Sequence, residues 1–325
     1  MNKFLLEFER FTNGIHKRLE KREYDQKAEF DLEDELKRSS KKHHYIPRYF
    51  INGFTDNENL LYIYDKQRDA IKKNKIGSGG IFYEEYRNSL DLGNNKYISI
   101  FEDMYCFFDN ELPSVIKLLR SNVDSFDYKT GSEIIAYMNI FILDLFLRNK
   151  NNDAFFDQVF ETSTFEFRNN DLNQYHKEFK EMSGIKKLFR LKLFTTYLNE
   201  IFKYDPRQIT NTKVLSFERD QICIGDQPML FLSNSGTPHD LFHSPLILPI
   251  SKSKIYLRNV SRNIKYGYEQ TSAINGLIID QSSNIIACSN RVTLEDGIKA
   301  YKFMKNNSEV SDLVKLGLFS DFKTS

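Results

Sequence analysis

Two adjacent histidines, a proline and an arginine fall within the short segment Lys41–Phe54, and these side-chain types favour chemistry. Pro47 disfavours helical backbone at the residue before it, so we expect the stretch from His44 to be extended and Pro47 to open a short helix. A histidine at such a junction can act as a general acid or base, or bind a metal. It can equally bond a backbone carbonyl and only hold the turn. His43 is predicted to be a solvated neighbour.

This segment resembles the opening motif of an uncharacterised bacterial family, domain of unknown function 4238 (DUF4238), which reads His-x-x-Pro-x-x-Tyr-Leu-x-x-Phe. The matching positions here are His44, Pro47, Phe50, Ile51 and Phe54. Phe50 and Phe54 stand four residues apart, so they should share one helix face and pack into a core. The family name carries no activity, so the resemblance narrows the candidates without giving a reaction.

Two glutamates, Glu102 and Glu111, accompany the apolar helical stripe of the region from Lys96 to Ser121. The resemblance implies a pair of glutamates in this region. On one straight helix they would face opposite sides, so a shared site requires the break that Pro113 predicts. Glu111 can alternatively favour the restarted helix by its charge alone.

The most apolar segment, Glu133–Arg148, is predicted to be the central buried helix. Asp144 and Arg148 stand four residues apart on it, and a charge in such a place must be paired or face a cavity. A mutual ion pair that fixes packing is one interpretation. The other is an arginine aimed into a site, and the resemblance implies an arginine at the end of this helix.

A proline and a carboxylate interrupt an apolar strand at Gly225–Pro228, which resembles the family's Ser/Gly-Asp-x-Pro element. Such an interruption requires a bulge, and bulges re-aim side chains beside active sites. Asp226 is therefore the strongest candidate carboxylate. The alternative is a turn in which Asp226 bonds its own backbone.

Phosphodiester hydrolysis suits the combination of His44, Glu102, Glu111, Arg148 and Asp226. The histidine would move the proton, the arginine would stabilise charge on the phosphate, and carboxylates would hold a cation. We therefore predict an intracellular nuclease, with Glu102, Glu111 and Asp226 as ligands of Mg²⁺ or Mn²⁺. By analogy with other poorly annotated bacterial families, such an enzyme would serve as a defence or toxin-type effector.

A basic region supports a nucleic-acid substrate. Ten Lys or Arg stand against four Asp or Glu between residues 37 and 75. Such charge density, with aromatics between, suits a phosphate backbone, although a solvated face has the same composition. The predicted contacts are Lys41, Lys42, Arg48, Lys66, Arg68, Lys72 and Lys73.

A non-catalytic binding or scaffold protein is the alternative. An apolar stripe at helical spacing runs through the first twenty residues: Phe4, Phe8, Phe11, Ile15 and Leu19. In this hypothesis the stripe is the working surface, and residues 1–40 contact a protein partner or a second copy of the chain.

Composition and element order set the fold class. The net charge is +1, with 28 Phe, 18 Tyr and no Trp, which excludes disorder and a strong global field. Three scattered cysteines and no membrane-spanning stretch indicate a cytoplasmic location. We predict an α+β fold with an N-terminal hairpin, a central helical layer around a buried helix, and a C-terminal antiparallel sheet with flanking helices. Residues 1–40 would be a helical extension, and 41–325 a single domain, helical over about 96–204 and strand-rich over about 206–325.

Overall fold

The computed structural model describes residues 41–91, 97–98, 100–121, 128–163, 181, 185–203, 212–233, 236–260 and 266–319. Helices and antiparallel strands fall largely in separate stretches of the described chain, so the predicted α+β class is confirmed. The predicted helical extension over residues 1–40 lies outside the described residues. None of the described helices is long and apolar enough to cross a lipid bilayer.

The described strands are β1 Lys42–His44, β2 Leu60–Asp65, β3 Ala70–Ile71, β4 Ile76–Gly77, β5 Tyr83–Glu85, β6 Leu90–Asp91, β7 Tyr97–Ile98, β8 Thr212–Ser216, β9 Ile224–Gly225, β10 Leu230–Phe231, β11 Leu246–Ser251, β12 Lys254–Arg258 and β13 Ile285–Cys288. The described helices are α1 Arg48–Ile51, α2 Ile100–Glu111, α3 Pro113–Arg120, α4 Tyr128–Arg148, α5 Asp153–Thr162, α6 Ile185–Lys203, α7 Pro238–His243, α8 Tyr268–Gln281, α9 Arg291–Lys305 and α10 Ser308–Phe319. Short 3-10 turns follow α1, β4 and α4.

Two larger antiparallel sheets organise these elements. One has the strand order β10-β11-β12-β8. In the other, the late strand β13 pairs with β2 on one side and with β9 on the other. The predicted hairpin of β2 and β3 is present. β2 also pairs with β13, a strand from far along the chain. This pairing brings the two ends of the described chain into one sheet.

The helix α4 lies in the core, as its uniformly apolar sequence predicts. Its residues 138–148 are all buried. Phe141 on α4 packs against Phe50 of α1, with ring centroids 4.9 Å apart, and Phe50 packs in turn against Phe54 at 5.6 Å. The opening segment is thus anchored to the central helix by aromatic side chains, which fixes the position of the histidines just before it.

Candidate functional site

His44 is placed by a strand pair on one side and a helix on the other. β1 pairs antiparallel with β5, which sets His44 opposite Tyr83. Pro47 then precedes α1 as its N-cap, with an extended ψ of 136°, and the helix begins at Arg48. His44, the last residue of β1, therefore lies at a junction between a strand and a helix, as the sequence predicted.

Arg120 fixes the other end of this short helix. Its guanidinium donates to the backbone carbonyls of Tyr49 at 3.1 Å and Phe50 at 2.7 Å, and to that of Ile250 in β11 at 2.6 Å. The last carbonyls of a helix lack partners within it, so a cation that reaches them stabilises the helix end. Arg120 thereby ties the helix beside His44 to the four-stranded sheet.

A cleft of about 740 Å³ opens beside His44, and we call it the cationic cleft. Four of its lining residues are Lys or Arg and two are acidic. The lining residues are Lys41, Lys42, His44, Arg48, Tyr49, Gly79, Glu102, Asp109 and Arg148. Three of the five predicted catalytic residues, His44, Glu102 and Arg148, therefore line one cleft.

His44 is half-buried in the cationic cleft, and its Nε2 atom is fully buried without a hydrogen-bond partner. Burial lowers the pKa of His44 to about 4, with the positive charge of Arg48 acting in the same direction, while Asp109 and a hydrogen bond from the ring to the backbone of Ser78 oppose the shift. The ring is therefore neutral at pH 7. A neutral imidazole nitrogen that no other group occupies can accept or donate a proton.

Arg148 is held between two carboxylates. Its Nε donates to Asp144 Oδ1 at 3.1 Å, and its Nη2 lies 3.0 Å from Asp109 Oδ1. The guanidinium also stacks on the Tyr105 ring, 4.3 Å from the centroid. The predicted ion pair of Asp144 and Arg148 is present and buried, and Arg148 also lines the cationic cleft.

The inner wall behind Arg148 contains further polar atoms without partners. Asp144 is fully buried, and this burial raises its pKa to about 7 although Arg148 opposes the shift. Its Oδ2 atom and the Tyr49 hydroxyl are buried with no hydrogen-bond partner. Buried polar groups are normally paired, so these two atoms depart from the usual pattern.

Glu102 is held by Asn88, whose backbone also contacts the buried His43. Glu102 Oε2 accepts a hydrogen bond from Asn88 Nδ2 at 2.8 Å and lies 3.6 Å from His43 Nδ1. That Nδ1 accepts the backbone N–H of Asn88 at 2.8 Å. The prediction that His43 is solvated is wrong, because its side chain is fully buried. β1 alternates its side chains between two faces, and His43 is on the inner one.

Glu111 does not line the cationic cleft. It is the last residue of α2, before the break at Pro113. The break therefore does not bring Glu111 beside Glu102. Asp109, two residues earlier, lines the cleft in its place.

Asp226 does not line the cleft either. It is fully buried, and its carboxylate accepts the backbone N–H groups of Ser283, Asn284 and Ile285 at 2.8, 2.9 and 3.1 Å. The Ser283 hydroxyl adds a fourth bond at 3.0 Å. Asp226 thus holds the loop before β13. The interpretation as a turn in which Asp226 bonds its own backbone is wrong, because the backbone groups that its carboxylate accepts belong to a distant loop.

The predicted metal ligands Glu102, Glu111 and Asp226 do not form a cluster. No group of three or more His, Cys, Asp or Glu side chains in the described part of the chain has the arrangement to hold a metal ion. The prediction of a three-carboxylate metal site is therefore not supported by the positions of these residues.

The predicted nucleic-acid contacts divide into two sets. Three of the seven, Lys41, Lys42 and Arg48, line the cationic cleft. The other four, Lys66, Arg68, Lys72 and Lys73, do not. Lys66 instead donates to the carbonyls of Asp280 and Ser282 at the end of α8, at 2.6 and 2.7 Å.

Asp109 and Tyr49 are cleft residues that sequence reasoning missed. Asp109 follows Glu102 by seven residues on α2, which is two helical turns and places both on one face. That spacing was visible in the sequence. Tyr49 gave no signal, since within the opening motif it reads as one aromatic among several.

Comparison with known proteins gives a family and no activity. No curated protein matches the chain. No solved structure matches it either. The matching family model spans all the residues of the cationic cleft except Lys41. The chain therefore belongs to the family described as protein of unknown function (DUF4238), whose model matches residues 42–291.

Proposed function

We propose that the cationic cleft binds a phosphodiester and that the protein is a nuclease acting on RNA, with His44 as the general base. The observation that carries this proposal is the buried, unpartnered Nε2 of a neutral His44 in a cleft lined by four cationic residues. A base that is neutral at pH 7 and an excess of positive over negative side chains suit cleavage of a phosphate ester.

The cations of the cleft supply substrate binding. Lys41, Lys42 and Arg48 are exposed at its mouth, where they can reach a phosphate backbone. Lys41 is also paired with Glu85 at 3.2 Å, and both side chains are more than half exposed, so a phosphate can replace that carboxylate at low cost. Arg148 is fixed at the inner end by Asp144 and Asp109, so it is preorganised toward a developing charge.

RNA is the preferred substrate because it carries its own nucleophile. Once the His44 ring turns so that the buried Nε2 opens to the cleft, it would take the proton of a 2′-hydroxyl, whose oxygen attacks the adjacent phosphorus while the bond to the 5′-oxygen breaks. The leaving oxygen takes up a proton from the protonated histidine. The products are a 2′,3′-cyclic phosphate and a 5′-hydroxyl. This route uses groups present in the cleft, whereas Glu102 and Asp109 are engaged with Asn88 and Arg148.

The test is cleavage of a labelled RNA by the purified chain, beside DNA of the same sequence and RNA with a 2′-O-methyl group at every position. We expect cleavage of the RNA alone, in EDTA as well as with Mg²⁺ or Mn²⁺. Replacing His44 by Ala should lower the rate by about 10² to 10⁴-fold, the usual contribution of a general base. His239 is the matched control, since its side chain is 80% exposed on α7 and lies outside the cleft.

Several outcomes would contradict the proposal. Equal cleavage of DNA, or activity lost in EDTA, would mean that a metal-bound water is the nucleophile. Full activity in a His44→Ala variant would show that His44 is not the general base. Absence of cleavage of any of these substrates would remove the nuclease assignment.

Two further parts of the original hypothesis stay predictions. The defence or toxin role and the cytoplasmic location rest on analogy and on cysteine usage. The scaffold alternative rests on residues 1–40, outside the described residues. If the cationic cleft is the working site, removing residues 1–40 should leave RNA cleavage intact. If the apolar stripe is the working surface, removing them should abolish the function of the protein.

A further inference from the structure

Two of the three cysteines face each other in the second sheet. The strands β9 and β13 are antiparallel neighbours, with Ile286 opposite Gly225 and Ala287 opposite Ile224. Continuing this register by one position sets Cys288 opposite Cys223. Both thiols are fully buried and free, and both belong to the same small hydrophobic cluster. Cysteines that are far apart in the sequence are thus direct cross-strand partners.

The hydrogen-bond pattern shows which kind of pair they form. Directly opposite residues in an antiparallel ladder alternate between hydrogen-bonded and non-hydrogen-bonded pairs, and side chains are closer in the second kind. The backbone N–H of Asp226 donates to the carbonyl of Ile285 at 3.0 Å, which makes that pair hydrogen-bonded. Cys223 and Cys288 lie three positions further along the ladder, so by this alternation they form a non-hydrogen-bonded pair. In agreement, the N–H of Cys223 donates to Asn275 Oδ1 at 2.9 Å and not across the ladder.

We propose that Cys223 and Cys288 form an oxidisable dithiol that a peroxide converts to a cross-strand disulfide, locking β9 to β13. Opposite residues of this kind have Cα atoms about 4.5 Å apart, inside the range of about 4.4 to 6.8 Å that disulfides span. The bridge therefore needs side-chain rotation and little backbone movement. It closes a loop that contains most of the four-stranded sheet and α8.

The reaction balances with hydrogen peroxide as the oxidant. One thiolate attacks a peroxide oxygen, which forms a sulfenic acid and releases hydroxide that becomes water on protonation. The second thiol then attacks the sulfenic sulfur, and the hydroxyl group leaves with a proton as a second water. Peroxide gains two electrons, and the two sulfurs lose them.

Burial sets the rate of this reaction. It raises the pKa of the Cys223 thiol, and the adjacent Cys288 raises it further, so little thiolate is present at pH 7. Oxidation should therefore be slow and should accelerate as the pH rises. Cys106 offers a built-in comparison, because it is exposed on α2.

The test is to incubate the folded protein with hydrogen peroxide, block remaining thiols with N-ethylmaleimide after denaturation, and identify linked peptides by mass spectrometry. We expect one peptide pair joined through Cys223 and Cys288, lighter by two hydrogen atoms and separated by dithiothreitol. The oxidised protein should have a Tm several degrees higher, since a long loop is closed in the unfolded chain. A Cys106→Ser variant should behave in the same way, and Cys223→Ser should not form the link.

The wild-type peptide map decides the question even if Cys223→Ser folds poorly. The proposal is overturned if Cys106 is oxidised while the other two thiols remain fully available to the maleimide. It is overturned equally if they yield sulfinic acids without a link, or if the link forms only in denatured protein.

Discussion

Substituting Asp226 tests whether this residue stabilises the fold or takes part in the chemistry of the protein. It was the strongest carboxylate candidate in the sequence, yet its carboxylate is buried and accepts four hydrogen bonds between 2.8 and 3.1 Å from the loop before β13. We expect Asp226→Ala to lose stability, because three backbone N–H groups would lose their acceptor at once.

The magnitude follows from the kind of bond. Hydrogen bonds to a charged group contribute roughly 1.5 to 3 kcal/mol each, so four would give an upper limit of about 6 to 12 kcal/mol. Ser283 is exposed and Asn284 is half-exposed, so water can reach part of the loop once the carboxylate is gone. We therefore expect a loss of about 4 kcal/mol in the free energy of unfolding, near the upper end for single substitutions.

Chemical denaturation with circular dichroism detection measures this change, and thermal unfolding should show a fall of about 8 °C in Tm for a chain of this size. Asp226→Asn should be close to Asp226→Ala, because its NH₂ group would face N–H donors. Glu295→Ala is the control, since Glu295 forms an exposed pair with Arg291 at 2.8 Å and should cost less than about 0.5 kcal/mol. If Asp226→Ala keeps wild-type stability but loses RNA cleavage, our structural assignment of Asp226 is refuted.

Three other predictions follow from the site. The pKa of His44 is lowered from 6.5 to about 4, so the unfolded chain binds the proton more readily than the folded one. Wild-type stability should therefore fall as the pH falls from 6.5 to about 4. Denaturant titrations at pH 7 and 4.5 should show a smaller fall for His44→Gln than for the wild type. In Gly53→Ala the new Cβ would overlap the Arg120 guanidinium, which should lower the free energy of unfolding by about 1 to 3 kcal/mol. Gly79→Ala is the comparison, since its Cβ would lie 3.5 Å from Arg48, and the same unfolding assay should show almost no change. Arg48→Ala should weaken RNA binding and reduce the slope of log affinity against log salt by about 0.7, and an unchanged slope would exclude Arg48 as a phosphate contact.

Local chemistry explains why much of the fold was predictable. Pro47 restricts its predecessor, and the i, i+4 spacing of Phe50 and Phe54 places both on one side of the chain. The continuous apolar run ending at Arg148 has no polar face to expose, so it must be internal. Each of these inferences depends on residues within a few positions of each other, and each agrees with the structure.

Contacts between distant segments were not predictable in this way. β13 completes the sheet begun by β2, and no local pattern specifies which strand fills that place. The pairing of β13 with β9 sets Cys223 opposite Cys288, and beside it Asp226 faces the loop at Ser283. The sequence pattern of a carboxylate in an interrupted strand is the same whether the side chain faces a cleft or bonds a distant backbone segment.

The sequence by itself determined the fold class, the buried central helix and the turn that presents His44, because steric restriction and hydrophobic periodicity act locally. Only the tertiary structure decided which polar residues converge. It placed His44, Glu102 and Arg148 in one cleft, added Asp109, and left Glu111 and Asp226 outside it. The physical reason is that burial, pairing and pKa depend on the groups that packing brings close, and those groups come from every part of the chain.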